Sequence, residues 1–199
     1  LHEVQMLRRD DGSTAGKAVR QERIAYITEL TDKINDYNAV LTDWIRLRQG
    51  EIHLHIESFA LQGLFDIVAK GKMGFRLKGL TLIVKPTDAV VKADRTLTLF
   101  MLNTLADNAR KFTPSGGTVT IEAEGYASYV EISISDTGIG MSEEQMAHIF
   151  EHKPISDTQD NIQEGKSHGF GLMNCKGIIE KYKKISQVFA PCAIGAESQ

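Results

Sequence analysis

The spacing of the apolar residues changes near residue 51, and this change divides the chain. Before it, apolar residues recur at steps of three and four, the spacing of one helix face: Ile24, Ile27, Leu30, Ile34, Tyr37, Leu41, Trp44 and Leu47. After it, residues 51–57 alternate between apolar and polar, which is the period of a strand. One element cannot have both periods. We therefore expect a helical domain over residues 1–50 and a second domain over residues 51–199.

The first domain is predicted to be a helical hairpin. A turn-forming stretch over residues 10–16 separates a short first helix from the long second one, and Gly50 is a plausible stop. The apolar seam is close to a heptad pattern. The long helix could lie on its own domain, but the short partner cannot cover the whole seam. We favour a second copy of the chain that supplies the missing helices, which gives a homodimeric four-helix bundle.

Composition excludes several classes of protein. The 199 residues are 42% hydrophobic with a formal net charge of −3, so no basic field favours nucleic acid. Cys175 and Cys192 cannot form a disulfide framework, which fits a reducing, cytoplasmic setting. No apolar run reaches the length of a membrane span. Because the first residue is Leu1, we expect a fragment of a larger protein, whose other parts would provide any membrane anchor.

The second domain is predicted to alternate helices and strands, which gives an α+β sandwich with helices over one face of a mixed or antiparallel sheet. The expected strands are 51–57, 80–84, 89–91, 118–124, 129–135 and 186–190. The expected helices are 60–72, a strong one from Asp94 or Thr96 to Phe112, 142–150 with a capping box at its start, and 171–183. His53 and His55 face outward on the first strand. They could bind a metal, but no third ligand is nearby, so a solvated strand face is the better interpretation.

A carboxylate stands where the strand pattern predicts an apolar residue. Val130, Ile132 and Ile134 share one face, and Asp136 falls on that same face. A buried carboxylate needs a partner. Gly138 and Gly140 follow at once and allow a close backbone approach. The alternatives are a strand end with a turn aspartate, or a site that binds a flat group.

The helix that ends at Phe112 carries a second polar exception. Leu97, Met101, Leu105 and Phe112 form its predicted apolar stripe, with Asn108 inside the stripe and Thr104 and Lys111 beside it. Asn108 could be a core amide bonded to backbone. It could instead offer its oxygen to Mg²⁺, with Lys111 one turn away to meet a phosphate.

A third element is the glycine loop at Gly169 and Gly171, directly before a helix. Backbone N–H groups at such a helix start bind anions. His168 beside the loop could contact a phosphate or simply be exposed. Residues 151–166, polar and without a periodic pattern, are predicted to form a lid between the two glycine loops.

In this order and spacing the motifs resemble the ATP-binding domain of sensor histidine kinases, within the ATPase group that also holds gyrase, a heat-shock chaperone and MutL. Residues 103–113 look like the N box, and residues 136–141 look like the first glycine box. Residues 149–151 look like the phenylalanine box, and residues 169–172 look like the second glycine box. Residues 34–37 and 46–51 are similar to the second helix and the exit strand of the dimerisation and phosphoacceptor domain.

The resemblance implies a Bergerat-type ATP fold and a role for each matching residue. Asp136 would accept the adenine amino group, and Asn108 would bind Mg²⁺ that bridges the phosphates of ATP. The remaining nucleotide-binding positions would be Lys111, Gly138, Gly140, Met141, His168, Gly169, Phe170, Gly171 and Leu172. The implied activity is histidine phosphorylation, followed by transfer to an aspartate of a response-regulator receiver domain. No residue of this fragment is assigned to bond breaking.

The sequence also departs from the family. His2 and Glu3 resemble the phosphoacceptor pair but lie too close to the turn, so we expect the acceptor histidine upstream. Ser167 replaces a usual glycine, and the chain stops before the expected last strand. ATP-hydrolysing relatives carry a glutamate at the position of Thr104, so its absence argues for transfer over hydrolysis. The alternatives are a degenerate, non-catalytic dimerisation module and a related protein serine kinase.

Overall fold

The structure is a computed structural model that describes residues 53–150 and 170–198. Between residues 17 and 45 it describes 17, 19–21, 23–28, 30, 31, 34, 35, 38, 42 and 45, and all of these are helical, as the apolar spacing predicts. The predicted hairpin turn, His2, Glu3 and the seam residues Tyr37, Leu41, Trp44 and Leu47 lie outside the described residues.

The second domain contains five strands and five α-helices within its described residues. They are β1 (Ile56–Ala60), α1 (Gln62–Lys70), α2 (Lys72–Leu77), β2 (Thr81–Val84), β3 (Val90–Asp94), α3 (Arg95–Phe112), β4 (Thr118–Gly125), β5 (Val130–Asp136), α4 (Glu143–His148) and α5 (Phe170–Ile185). A short 3-10 helix follows over Gln187–Phe189.

The strands form two small sheets. β1 pairs antiparallel with β3. β2 pairs parallel with β4, and β4 pairs antiparallel with β5, so the larger sheet is mixed with the order β2-β4-β5. Helices α1, α2 and α3 pack against one face of this sheet. The predicted α+β sandwich with a mixed sheet is therefore confirmed.

The main core lies between these helices and β4. Its buried residues are Leu61, Leu64, Phe65, Val68, Phe75, Leu80, Leu102, Ala106, Ala109, Val119 and Ile121. Each large side chain buried there contributes about 1.5–3 kcal/mol by its removal from water. Val130, Ile132 and Ile134 pack against the same core, as the alternation of β5 predicts.

A second cluster joins the start of α3 to the end of α5. Leu97 and Phe100 pack against Ile178 and Tyr182. The Tyr182 hydroxyl accepts a hydrogen bond from the Asp94 N–H at 2.6 Å. These contacts fix α5 beside the first half of α3.

Asp94 is the N-cap of α3, which confirms one of the two predicted starts of this helix. Its Oδ1 accepts the N–H groups of Thr96 and Leu97, both at 3.1 Å. Its Oδ2 accepts the His55 N–H at 2.9 Å. The Asp94 carboxylate thus accepts two N–H groups that have no partner within α3. It also binds the backbone of His55, just before β1, to the start of this helix.

Three predicted elements need correction. Among the described residues the first strand is Ile56–Ala60, and residues 53–55 of the predicted strand 51–57 lie outside it, because the partner strand β3 ends at Asp94, which pairs with Ile56. Residues 51 and 52 lie outside the described residues. The single helix predicted over 60–72 is two helices, α1 and α2, which meet at Gly71. The strand predicted over 186–190 is a 3-10 helix, because the Ser186 hydroxyl accepts the Val188 N–H and turns the backbone.

The N-terminal helix touches the second domain through Tyr26. Its Cε2 atom is 3.3 Å from the position that a Cβ on Gly74 would take. Gly74 is a buried residue of α2. A larger residue there would push against the tyrosine ring, so the glycine allows this contact.

Candidate functional site

The site is built around the C-terminal half of α3, where the predicted stripe needs correction. The buried face of the helix carries Leu102, Thr104, Ala106 and Ala109, whereas Leu105 and Asn108 are only half-buried and Phe112 is 47% exposed. The helix is covered by the sheet on one side and by α5 on another. The face of α3 that carries Leu105, Asn108 and Phe112 therefore lies between the side covered by the sheet and the side covered by α5, and not in the core. The side-chain amide of Asn108 makes no hydrogen bond to any other described residue.

Asp136 also differs from its prediction. It is the last residue of β5 and pairs with Val119, which is fully buried. Asp136 therefore lies on the core-facing side of the strand, as predicted, because directly opposite residues share a face. Asp136 is nevertheless exposed, since the strand ends where α3 ends and no element among the described residues covers its last residue.

The loop after Asp136 is docked on the end of α3. The Gly138 N–H donates to Asp136 Oδ1 at 2.8 Å, and the Ile139 N–H donates to the Phe112 carbonyl at 3.3 Å. A Cβ on Gly138 would overlap Asp136 Oδ1 and would lie 2.9 Å from the Phe112 carbonyl oxygen. Glycine is therefore required at 138 by close approach. At Gly140 it is favoured by a φ of 67°.

Two lysines shape the charge at this helix end. Lys78 Nζ donates to the carbonyls of Arg110 and Lys111, at 2.7 and 2.6 Å, and so caps the negative end of α3. Lys111 Nζ lies 5.1 Å from the centroid of the Phe112 ring. Partial burial lowers the pKa of Lys111 from its ordinary value. A partly desolvated ammonium of this kind gains when an anion approaches.

Helix α5 runs antiparallel to α3, and its N-terminal end lies opposite the middle of α3. Ile178 and Tyr182 meet the first half of α3, whereas Cys175 hydrogen-bonds Thr104 one or two turns further along. A Cβ on Gly171 would lie 2.8 Å from Thr104 Cγ2. Asn108 is one turn beyond Thr104, about 6 Å further along the axis. Asn108 therefore lies just past the N-terminal end of α5, towards which the first N–H groups of that helix point.

The other predicted site residues are distributed as follows. The Met141 N–H donates to Ser198 Oγ at 2.8 Å, and Leu172 is half-buried in the first turn of α5. Phe170 is the first residue of that helix. His168, Gly169, Ser167 and the predicted lid over 151–166 lie outside the described residues, and so does Glu151 of the phenylalanine box.

Sequence reasoning missed three residues that hold this site together. Lys78 caps α3 from more than 30 positions away, and nothing in its own sequence neighbourhood indicates this. Thr137 Oγ1 accepts the Thr118 N–H at 2.9 Å and fastens the start of the glycine loop to β4. Ser198 meets Met141 although 57 positions separate them. Only Thr137, which lies inside the motif, could have been found from the sequence.

Other parts of the described chain offer little chemistry. His53 and His55 are exposed, and no cluster of three or more metal-ligating side chains occurs among the described residues. None of the helices in the described ranges has the length and hydropathy that a bilayer crossing requires. Burial raises the pKa of the Cys175 thiol to about 12, so this cysteine is a packing residue.

The class of this domain is shown by the family whose sequence pattern it matches. The sequence pattern of the family described as histidine kinase-, DNA gyrase B-, and HSP90-like ATPase matches residues 93–195, a range that contains α3, both glycine loops and α5. The chain therefore belongs to this ATPase family, and the relatives and solved structures that it resembles are named histidine kinases.

Two relatives illustrate the similarity. The histidine protein kinase DivJ of Caulobacter vibrioides is 31% identical over 157 residues, which cover 72% of this chain and 26% of DivJ. The adaptive-response sensory kinase SasA of Synechococcus elongatus is 43% identical over 83 residues, which cover 41% of this chain and 21% of SasA. The chain spans about a quarter of the length of these relatives.

Solved structures agree in fold. The catalytic domain of the histidine kinase ThkA superposes with a TM-score of 0.53 and 26% identity, over 64% of this chain and 81% of that one. Full-length ShkA, solved in complex with AMPPNP, superposes with a TM-score of 0.56 over 85% of this chain and 34% of its own. Its identity is 23%, so this match shows the fold alone.

Proposed function

We propose that this chain is the kinase core of a two-component sensor histidine kinase. It binds Mg-ATP, transfers the γ-phosphoryl group to a histidine, and passes it on to an aspartate of a response-regulator receiver domain. The observation that carries this proposal is that α3 joins the parts of the site. The Asp136 loop is hydrogen-bonded to its last carbonyl, and its Asn108 stands at the N-terminal end of α5.

The adenine would be held at Asp136. Its Oδ1 is engaged by the Gly138 N–H, which fixes the orientation of the carboxylate. A carboxylate has about four acceptor positions, so the other oxygen can accept the amino group of adenine. Because Gly138 packs closely against Asp136 and Phe112 and has no side chain, a flat base can lie against the backbone there. Gly140 and Met141 would complete the loop around the base.

The phosphates would lie between Asn108, Lys111 and the start of α5. The half-buried side-chain amide of Asn108 offers an oxygen, the ligand type that Mg²⁺ takes, so Asn108 would hold the metal together with the phosphates. Bound there, Mg²⁺ would neutralise charge on the phosphates. The first N–H groups of α5, including those at Gly171 and Leu172, would meet phosphate oxygens. Lys111 would add a positive charge one turn from Asn108. His168 and Gly169 stay predictions for the same group.

Thr104 supports phosphoryl transfer over hydrolysis. It stands one turn before Asn108, where hydrolysing relatives carry a glutamate, and it is 8% exposed. A buried threonine hydroxyl bonded to the Cys175 thiol is no general base for water. The domain then positions the nucleotide, and a protein group provides the nucleophile.

The helical region over residues 1–50 would form the homodimer, and residues 51–199 would form the catalytic domain. Ile24 and Ile34 of the predicted seam are 47% and 59% exposed in the single chain. Exposed isoleucines at this spacing support packing against a second copy. The whole protein would be a membrane-anchored sensor with this part in the cytoplasm.

A fluorescent ATP analogue titrated with Mg²⁺ tests the nucleotide site. Asp136→Asn should weaken binding by about tenfold or more, because it replaces an acceptor of the adenine amino group by an amide. Asn108→Ala should remove the tightening that Mg²⁺ produces. Equal affinity of Asp136→Asn and wild type would reject the adenine role, and unchanged Mg²⁺ dependence in Asn108→Ala would reject the metal role. Absence of any ATP binding in a folded dimer would favour the non-catalytic alternative.

A further inference from the structure

Position 104 lies at the last contact between α3 and α5 before the proposed phosphate site. Following the two helices from the far end, Tyr182 meets Asp94, Ile178 meets Leu97 and Phe100, and Thr104 meets both Cys175 and Gly171. The next turn of α3 carries Asn108, which lies beyond the level of Phe170, the first described residue of α5. The distance between α3 and α5 at Thr104 is therefore set by a direct contact, one turn away from Asn108.

Two different atoms of Thr104 make its two contacts. Its hydroxyl bonds the Cys175 thiol, and both residues are buried. Its Cγ2 methyl would lie 2.8 Å from a Cβ on Gly171, and two carbon atoms do not come this close unless one of them is displaced. Threonine in a helix can take two χ1 rotamers, but Thr104 is buried and its hydroxyl bonds Cys175, so the methyl cannot turn away without loss of that bond. The methyl thus limits how closely α5 can approach α3.

We infer that the Thr104 methyl is a positioning device, which sets the distance between Asn108 and the N-terminus of α5 by packing against Gly171. This inference rests on the proposed function, since that distance matters only if phosphates and Mg²⁺ are held between the two. The φ of Gly171 lies in the range that any residue can adopt, so the backbone does not require glycine there. The Thr104 methyl does, because a Cβ at position 171 would lie too close to it. The hydroxyl of Thr104 holds Cys175 and contributes little to the spacing.

A set of variants of the full chain separates the methyl from the hydroxyl. Gly171→Ala should push α5 away from α3 and weaken Mg-ATP binding by about tenfold. Thr104→Ser removes the methyl and keeps the hydroxyl. In the double variant the new alanine methyl takes the space that the threonine methyl left, so Mg-ATP affinity should return to within about threefold of wild type. Thr104→Val keeps a methyl at the contact and should bind within about twofold of wild type.

Gly63→Ala is the matched control. Gly63 is the second residue of α1, as Gly171 is of α5, but a Cβ there would meet its nearest neighbour, Arg95, at 3.9 Å, an ordinary contact. This variant gains the same helix propensity without a clash and should bind Mg-ATP like wild type. Adenosine, which has no phosphates, should bind equally to all variants. That readout separates a shifted helix end from a general loss of structure.

The outcomes distinguish the inference from the function beneath it. Recovery of Mg-ATP affinity in the double variant, with adenosine binding unchanged throughout, supports the positioning role. Additive losses in the double variant, or a Gly171→Ala variant that binds Mg-ATP like wild type, overturn that role while the proposed function stands. A wild-type chain that binds neither Mg-ATP nor adenosine overturns both.

Discussion

Replacement of Gly138 by alanine is the perturbation with the most direct structural consequence. The new Cβ would overlap Asp136 Oδ1 and would lie 2.9 Å from the carbonyl oxygen of Phe112. The carboxylate could rotate away, but it would then lose its hydrogen bond from the Gly138 N–H, worth about 1 kcal/mol net. The Phe112 carbonyl belongs to the capped end of α3 and cannot rotate, so the loop itself must shift.

The magnitude follows from these two terms. Overpacking against fixed neighbours costs about 1–3 kcal/mol. Together with the lost hydrogen bond, the binding-competent loop is disfavoured by about 2–4 kcal/mol, which corresponds to an affinity loss of about 30-fold or more. The α-helices and the sheet are untouched by the substitution. The loss should therefore appear in nucleotide binding, with only a small change in the midpoint of thermal unfolding.

Titration of a fluorescent ATP analogue against wild type, Gly138→Ala and Gly125→Ala measures this effect. Gly125 is the matched control, because it ends β4 as a surface glycine with ordinary φ, and a Cβ there would meet nothing within 4 Å. The control should bind like wild type. If Gly138→Ala bound the analogue within about threefold of wild type, the docking of the loop on α3 would not be what shapes the proposed nucleotide site.

Three further predictions concern stability and reactivity. Asp94→Ala should lower the free energy of unfolding by about 1–2 kcal/mol, through loss of the N-cap of α3, as measured by urea denaturation. Burial raises the pKa of Tyr182 from 10.0 to about 12, so the folded state retains this proton. Its contribution to stability is present below pH 10 and is lost as the pH rises towards 12. Tyr182→Phe should show a smaller decline over that window in chemical denaturation, and an equal decline would contradict this. Native Cys175 should resist a thiol reagent at pH 8, whereas the half-buried Cys192 should react faster, and equal rates would refute the assigned burial.

The period of the apolar residues determined most of the elements. The helix over Arg95–Phe112, the β4–β5 pair and the helix from Phe170 are confirmed with small changes at their ends, and so is the capping box at Ser142. These features depend on residues close together in the chain, such as a cap and the N–H groups three residues later. Local chemistry is visible in a sequence.

The same period could not tell how deeply a residue is buried. Asp136 has the parity of a core residue but lies at the end of its strand, where no element of the described part of the chain covers it. Phe112 has the spacing of a core residue but lies at the exposed end of α3, under the nitrogen of Lys111. Burial is decided by which elements arrive from elsewhere in the chain, and this information is not in the local pattern.

The residue types and order of the site motifs were determined by the sequence alone, together with the ATPase family that they resemble. The tertiary structure decided how these motifs meet. It brought Lys78 to the end of α3, Ser198 to Met141, and Gly171 against Thr104. Each of these contacts joins residues far apart in the chain. The sequence therefore provides the groups of the proposed nucleotide site, and packing between distant elements sets the distances between them.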